Sequence, residues 1–362
     1  SGFSFGRISE GGKIIINDGR VHLEVMEKMD EHLLKIKVLI GGKVKKNKGV
    51  NFPGVALHMP SFTEQDVADL ELAIDEGTDW VALSFVRSPY DKEAVDAILK
   101  DKGVDLPVMA KIEKWEALEH LDEIINTFDG VMVARGDLGV EIPQEQVPLV
   151  QKKIIALANK AGKPVVIATQ LLETMVESPT PTRAEVSDIA NAIFDGTDAL
   201  LVTGETAIGK FPEKVINVLS RVILETEQTI NFDKIHQPIS HQQHTADAIS
   251  HATCQIANDM DIGIILTLTH SGSTARMIAR YKPSADIIAL TPVEKTYRQL
   301  SIIWGVTPNM IDQYSNSDDI PNVSSEFIGK NHLLDKGERY VVTGGVPVGV
   351  SGTTNYLFVQ KA

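Results

Sequence analysis

Four apolar runs in this chain each stop at a polar cluster suited to phosphate and metal chemistry. Pro107–Glu113 (PVMAKIE) ends in Lys111 and Glu113, and Val131–Asp137 (VMVARGD) ends in Arg135, Gly136 and Asp137. Pro164–Gln170 (PVVIATQ) ends in Thr169, and Ala199–Glu205 (ALLVTGE) ends in Thr203 and Glu205. In a parallel α/β barrel the functional residues come from the C-terminal ends of the strands, so these clusters are expected to converge. Lys111 and Glu113 are two apart, as are Arg135 and Asp137, so on strands each pair would share a face. Glu113 and Asp137 offer hard oxygen ligands to one Mg2+ or Mn2+, with positions left for substrate oxygens. Lys111 beside them would stabilise charge on a transferring phosphoryl group or on an enolate. Gly136 permits close backbone approach, and Leu138-Gly139 could open a helical turn that offers N–H donors to an anion. The Thr169 hydroxyl could orient a substrate carboxylate or a water that delivers a proton; plain strand-end capping would use the residue equally well. One such cluster alone would read as a salt-bridge layer. Several at successive strand ends favour a site.

Composition narrows the partners. The chain has 362 residues, is 43% hydrophobic, and carries a formal net charge of −14. That length supports a sizeable core and two or more domains. The acidic balance argues against nucleic acid and against an anionic membrane surface as partners. An anionic substrate would therefore need local cations, such as Lys111, Arg135 or a metal ion. Cys254 is the single cysteine, so no internal disulfide can form, which fits a reducing compartment. No run of about 18 apolar residues is present, so no membrane span is expected. The chain opens Ser1-Gly2-Phe3-Ser4-Phe5, without an initiator Met and without signal or transit character, and is expected to be a fragment or to carry an expression scar.

The elements that would position the clusters follow from periodicity and punctuation. Lys13–Ile16, Val21–Met26 and Leu33–Ile40 read as strands of a small β module, with Asn17-Asp18-Gly19 as a turn and a boundary near residue 50. Beyond it, helix and strand alternate. A helix over Glu64–Glu76, capped by Thr63 or Ser61, leads to a strand over Trp80–Val86. Helices near Lys92–Lys100, Trp115–Thr127 and Gln146–Ala161 alternate with the strands ending at Lys111, Arg135 and Thr169. Thr182-Arg183-Ala184-Glu185 is a capping box that should open a helix over Arg183–Phe194. The strand ending at Thr203 and a helix over Pro212–Thr229 complete five βα units, whereas a closed (β/α)8 barrel needs eight.

Asn231–Gln243 reads as a polar linker into a second α/β region. There a helix over Thr245–Met260 precedes strands at Ile262–Thr269, Asp286–Leu290, Gly305–Met310, Arg339–Thr343 and Tyr356–Gln360. Thr269–Arg276 (THSGSTAR) runs from a strand through a Ser/Thr/Gly turn into a helix, which suits either a phosphate nest or an ordinary helix cap. His241, His244 and His251 lack Cys or acidic partners at metal-site spacing and read as linker and helix start. Trp115 and Trp304 read as packing residues.

Several of these segments together resemble the pyruvate kinase family. They are Asn51–Gly54 (NFPG), Ser84-Phe85-Val86-Arg87, Val108–Leu118 (VMAKIEKWEAL) and Asp129–Pro143 (DGVMVARGDLGVEIP). Gly162–Thr169 (GKPVVIAT), Pro179–Glu185 (PTPTRAE) and Asn191–Ala207 (NAIFDGTDALLVTGETA) continue the resemblance, which runs from about Gly11 to the C-terminus. It implies an α/β fold: a partial TIM (β/α)8 barrel, a small β-barrel lid domain and a separate C-terminal α/β domain. Residues 1–50 would be the later part of the lid, 51–235 strands 4–8 of the catalytic barrel, and 236–362 the regulatory and assembly domain. It further implies phosphoryl transfer from phosphoenolpyruvate to ADP, giving pyruvate and ATP, by a cytoplasmic homotetramer that uses Mg2+ (or Mn2+) and K+.

Residue roles carry over by position. Lys111 would neutralise the moving phosphoryl group, and Glu113 and Asp137 would hold the divalent metal. Backbone N–H groups of Gly136 and Asp137, with the Thr169 hydroxyl, would bind the substrate carboxylate, and Thr169 would join the proton relay. Arg135 and Glu205 would support the site, and Ser84 would lie near the K+ position. Thr269, His270, Ser271, Gly272, Ser273 and Thr274 would form the loop that binds a phosphorylated effector, beside Gly344–Thr354. His270 and Ser273 stand where many family members carry basic residues, which leaves the effector's identity open. In the family, the first barrel strands and the start of the lid precede the point where this chain begins, so the chain alone is expected to be an incomplete catalyst. Two other readings fit the same residues: a metal-dependent lyase or aldolase acting on a pyruvate enolate, and an inactive fragment that binds phosphometabolites.

Overall fold

The structure is a computed structural model that describes residues 5–362, apart from 6, 18, 45, 47, 48, 56–61, 231–243, 315 and 351. The chain forms two compact units. One comprises Ser1–Leu157, Val165–Asn191 and Leu200–Ser220, and the other Ala158–Pro164, Ala192–Ala199 and Arg221–Ala362.

The first unit begins with four antiparallel strands, β1 (Lys13–Ile16), β2 (Val21–Lys28), β3 (Leu34–Ile40) and β4 (Val50–Asn51), in the order β3-β2-β1-β4. Alternation in β2 turns Val21, Leu23 and Val25 inward, where they pack with Ile8, Ile14 and Phe52. Gly19, with φ of 86°, makes the β1–β2 turn.

A parallel sheet follows, with strands in sequence order: β5 (Val81–Leu83), β6 (Val108–Ile112), β7 (Gly130–Ala134), β8 (Val165–Ala168) and β9 (Ala199–Leu201). The middle strands β7 and β8 are buried throughout, as expected of strands covered on both faces. Sequential parallel pairing is the wall of a TIM-like barrel. The helices of this unit are α1 (Glu64–Asp75), α2 (Glu93–Asp101), α3 (Trp115–Glu119), α4 (Leu121–Thr127), α5 (Arg135–Glu141), α6 (Val147–Ala161), α7 (Arg183–Phe194), α8 (Gly204–Ala207) and α9 (Pro212–Glu227). Thr63 caps α1 in a box with Asp66, while Ser61 lies outside the described residues. The one expected box is also formed: Thr182 Oγ1 accepts from the Glu185 N–H at 3.2 Å, and Glu185 Oε2 accepts from the Thr182 N–H at 2.8 Å. Burial works to raise the Glu185 pKa, but hydrogen bonds from Thr174 and Thr182 outweigh it and hold the carboxyl below its ordinary value.

Three expected elements are redrawn. The run Trp80–Val86 gives a strand only over Val81–Leu83, because Phe85 takes a left-handed φ of 57° and turns the chain out of the sheet. The single helix expected near Trp115–Thr127 breaks at His120 into α3 and α4. The strand expected to carry Arg135 and Asp137 stops at Ala134, and α5 starts at Arg135 with Asp137 in its first turn, where a carboxylate complements the helix dipole.

The second unit holds a five-stranded sheet in the order β12-β11-β10-β13-β14. Its strands are β10 (Ile264–Leu268), β11 (Asp286–Thr291), β12 (Val306–Met310), β13 (Arg339–Gly345) and β14 (Thr354–Lys361). All neighbours pair in parallel except β14, which runs antiparallel to β13. Alternate residues feed two cores. Ile265, Ile287 and Val341 pack with α10 (Thr245–Asp259) and α11 (Ser273–Ala279), whereas Leu266, Leu290 and Val342 pack with α13 (Ile320–Lys330). A short helix α12 (Glu294–Gln299) follows β11. The expected linker Asn231–Gln243 lies outside the described residues. Among the described residues no helix is long and apolar enough to cross a membrane.

A candidate active site at the C-terminal edge of the first parallel sheet

Strand register brings the sequence clusters to one edge. Leu83 pairs with Ala110, Ile112 with Val133, and Val133 with Ile167. Ala134 pairs with Ala168, so Arg135 and Thr169 are the first residues beyond the same rung. Glu113 leaves β6 one rung earlier, and Ser84 stands level with Lys111. Four strands therefore deliver polar side chains to adjacent positions along one edge.

Lys111 is the centre of the first cluster. Its Nζ donates to Ser84 Oγ at 2.8 Å and pairs with Glu113 Oε1 at 2.8 Å. The second Glu113 oxygen accepts the Phe85 N–H at 2.7 Å. The Glu113 side chain is only 2% exposed, against 26% for Lys111, so a buried carboxylate anchors a cation that still reaches solvent. Placed this way, the ammonium is available to an incoming anion without its own desolvation being uncompensated.

Thr169 is the centre of the second. Thr169 and Gln170 both take left-handed φ values, 67° and 53°, which cost a non-glycine residue energy. Arg135 braces this bend. Its Nη2 donates to the carbonyls of Thr169 at 3.0 Å and Gln170 at 2.8 Å, and its Nη1 pairs with Asp188 at 2.5 Å. The bend aims Thr169 Oγ1 at the Gly136 N–H, from which it accepts at 2.8 Å, while the hydroxyl donates to the Ala168 carbonyl at 2.6 Å. A Cβ on Gly136 would sit 3.4 Å from that oxygen, so glycine keeps the approach open.

The expectation that Arg135 and Asp137 share a face is corrected here. On a helix, residues two apart point in widely different directions. Arg135 is buried and turned to Thr169, Gln151 and Asp188, so it acts on the site through Thr169. Glu205 has a comparable bracing role: its carboxylate accepts N–H groups from Leu172 at 3.2 Å and Thr203 at 3.0 Å, joining the segments that follow β8 and β9. Sequence spacing carried no signal for Asp188 and Gln151, which meet Arg135 only through the fold.

The donor set fits a hard divalent cation. Glu113 directly follows β6 and Asp137 lies in the first turn of α5, just past the neighbouring β7, and each Glu113 oxygen keeps a lone pair beyond its present partner. A monovalent cation is less well provided for. Ser84 Oγ already faces the Lys111 ammonium, so that hydroxyl alone does not make a K+ site.

The second unit carries the other predicted cluster. Thr269, His270, Ser271, Ser273 and Thr274 line an open pocket of about 300 Å3 together with Tyr314 and part of the 344–354 loop. Gly272, with φ of 76°, turns the chain into α11. Thr296 Oγ1 donates to the His270 carbonyl at 2.6 Å, and the Thr274 and Thr354 hydroxyls meet at 2.8 Å. Burial lowers the His270 pKa and pushes the Tyr314 phenol up to about 12, so both are neutral near pH 7. Among the described residues no Lys or Arg lines this pocket. Elsewhere, the histidine cluster takes no common form: His251 packs its ring on Tyr281 at 5.3 Å, and His241 is outside the described residues. Trp304 is a packing residue with its Nε1 donating to Glu227 at 2.8 Å.

Comparison with known proteins identifies a family. Residues 4–216 match the family model described as pyruvate kinase, barrel domain, and residues 247–360 match pyruvate kinase, alpha/beta domain. The chain is 42% identical over 357 residues to pyruvate kinase 2 of Synechocystis sp., covering 98% of this chain and 60% of that protein. It is 43% identical to a pyruvate kinase of Clostridium acetobutylicum and 44% to one of Thermotoga maritima, covering 75% of each.

Proposed function

The chain belongs to the pyruvate kinase family, and from that premise we propose that the protein carrying it moves the phosphoryl group of phosphoenolpyruvate to ADP, giving pyruvate and ATP. The observation that supports this most is the Lys111 ammonium held between Ser84 Oγ and Glu113 at the sheet edge. Phosphoryl transfer needs positioning and charge neutralisation more than a protein nucleophile, and this edge is built for both.

In this reading Lys111 neutralises the phosphoryl oxygens as the phosphorus leaves the enol oxygen for ADP. A divalent ion, Mg2+ or Mn2+, held by Glu113 and Asp137 would supply Lewis-acid neutralisation of the same group. The first turn of α5 turns N–H groups to the substrate carboxylate, that of Asp137 and that of Gly136, which gives up its bond to Thr169 Oγ1 as substrate binds. Thr169 turns its hydroxyl proton from the Ala168 carbonyl to the same carboxylate and orients the water that protonates the enol carbon. Arg135 and Glu205 fix the loops that carry these groups. Potassium is a family requirement to which this chain contributes Ser84.

The same proposal extends to the rest of the molecule. Residues 1–50 act as part of the lid over the nucleotide, 51–235 as the catalytic barrel and 236–362 as the regulatory and assembly domain. The protein works as a cytoplasmic homotetramer, with α7 and the second unit supplying contacts, and a phosphorylated effector docks on residues 269–274. The chain spans about 60% of the Synechocystis relative, so the activity is that of the protein carrying the chain. The test is pyruvate formation from phosphoenolpyruvate with Mg2+ and K+, measured with and without ADP. Formation that depends on ADP is expected. Pyruvate release without ADP would mean that the phosphoryl group goes to water, and would overturn the assignment.

A further inference from the structure

One buried carboxylate lies outside the chemistry just described. Glu141 is the last residue of α5, and its side chain is 2% exposed. Its Oε1 accepts from two directions: Lys114 Nζ at 2.5 Å and Asn51 Nδ2 at 2.8 Å. Neither partner is incidental to the fold. Lys114 directly follows Glu113, and its Nζ lies 5.8 Å over the Phe85 ring, whose own N–H holds Glu113. Asn51 closes β4, the last strand of the small β sheet, where it pairs with Ile15. The β1–β2 turn also lies near α5, since a Cβ built on Gly19 would come 3.7 Å from Val140 Cγ2.

We infer that Glu141 is a positioning residue that couples the small β sheet to the candidate active site. A seven-residue helix is a rigid rod of about two turns, so a shift at Glu141 reaches Gly136 and Asp137 at its other end. The shared oxygen makes the two halves interdependent. Movement of the sheet pulls on Asn51, alters what Glu141 can give Lys114, and so bears on both the metal-binding carboxylate beside Lys114 and the N–H groups of α5. Charge-assisted bonds in a buried setting are strong enough to transmit such a shift. The role at the reacting centre rests on the phosphoryl-transfer reading. The mechanical coupling does not.

Asn51→Ala and Glu141→Gln, singly and together, in the protein carrying this chain, test the coupling. Asn51→Ala leaves the Lys114–Glu141 pair in place, so it carries the test even where Glu141→Gln fails to fold. Amide hydrogen exchange is read at Gly136–Leu138, and KM for phosphoenolpyruvate is measured alongside. Asn51→Ala is expected to raise exchange in that first turn of α5 by about tenfold, although the substituted side chain touches only the far end of the helix. KM is expected to rise by about tenfold as well, and the double variant to do less than the product of the two. A merely structural loss would lower the active fraction and leave KM unchanged. Exchange changes confined to residues 13–51, or an unchanged KM, would overturn the inference. If the unaltered protein has no ADP-dependent activity, the phosphoryl-transfer reading falls, and exchange in α5 alone decides the coupling.

Discussion

The parallel strands of this chain's two larger sheets end in opposite kinds of chemistry. At the C-terminal edge of β6–β8 the polar groups are charged and paired: Lys111 with Glu113, Arg135 with Asp188. At the edge of β10 they are hydroxyls, an imidazole held neutral by burial, and a phenol. The strands themselves are alike, short, apolar and largely buried, as in VMAKI and IILTL. A parallel sheet therefore supplies a platform, and the residues just past its rungs decide whether it can stabilise a moving charge or only dock a ligand.

The edges also differ in how they bend the chain. The second reaches a left-handed turn with Gly272, which adopts it without penalty. The first imposes it on Thr169 and Gln170 and holds the strain with three donations from Arg135. A glycine would make that bend more cheaply but would leave no hydroxyl beside the Gly136 N–H. Strain kept in place by a buried guanidinium marks where position matters most.

Four substitutions break or sharpen this contrast. Thr169→Ala should have the largest effect, slowing enol protonation by about 100-fold. Exchange of pyruvate methyl protons with solvent reads that step, and an unchanged rate would remove Thr169 from the relay. Asp188→Asn should loosen Arg135 and lower turnover by about tenfold, equivalent to about 1.4 kcal/mol of lost alignment. Its effect should vanish in a Thr169→Ala background if Arg135 works through Thr169. At the other edge, Gly272→Ala places a Cβ 2.9 Å from both Arg276 Nη1 and Leu300 Cδ2 at a positive φ. A loss of about 1–2 kcal/mol in stability is expected, read as a lower melting temperature, with turnover on saturating substrate little changed. The smallest effect concerns His270, whose pKa burial depresses from 6.5. The unfolded chain binds more protons than the folded one just below that value, so stability is full above it and declines as pH falls through the lowered pKa. His270→Gln should flatten that slope in melting curves taken between neutral and mildly acid pH.

Much of this was legible in the residues. Most strand runs, the Thr63 cap and the Thr182 capping box fall where spacing placed them, because local hydrogen bonding and alternation decide them. Lys111 and Glu113 do point together, since the last turn of β6 keeps a period of two. The step from β7 into α5 was not legible. VMVARGD keeps a strand-like pattern through Asp137, and the helix start depends on Arg135 finding carbonyls and a carboxylate 34 to 53 positions away. Phe85 was read as strand interior, yet its left-handed turn gives Glu113 its second donor. Glu141 carried no signal at all, because both of its partners are brought to it by the fold.

The most direct test of the contrast is turnover of phosphoenolpyruvate with ADP in Lys111→Met and Thr274→Val, side by side in the protein carrying this chain. Lys111→Met should lose about a thousandfold or more, since it removes the one ammonium set between Ser84 and Glu113. Thr274→Val should remain within a few-fold of the unaltered protein at saturating substrate. Comparable losses in both variants, or none in Lys111→Met, would contradict the assignment of the chemistry to the first sheet edge.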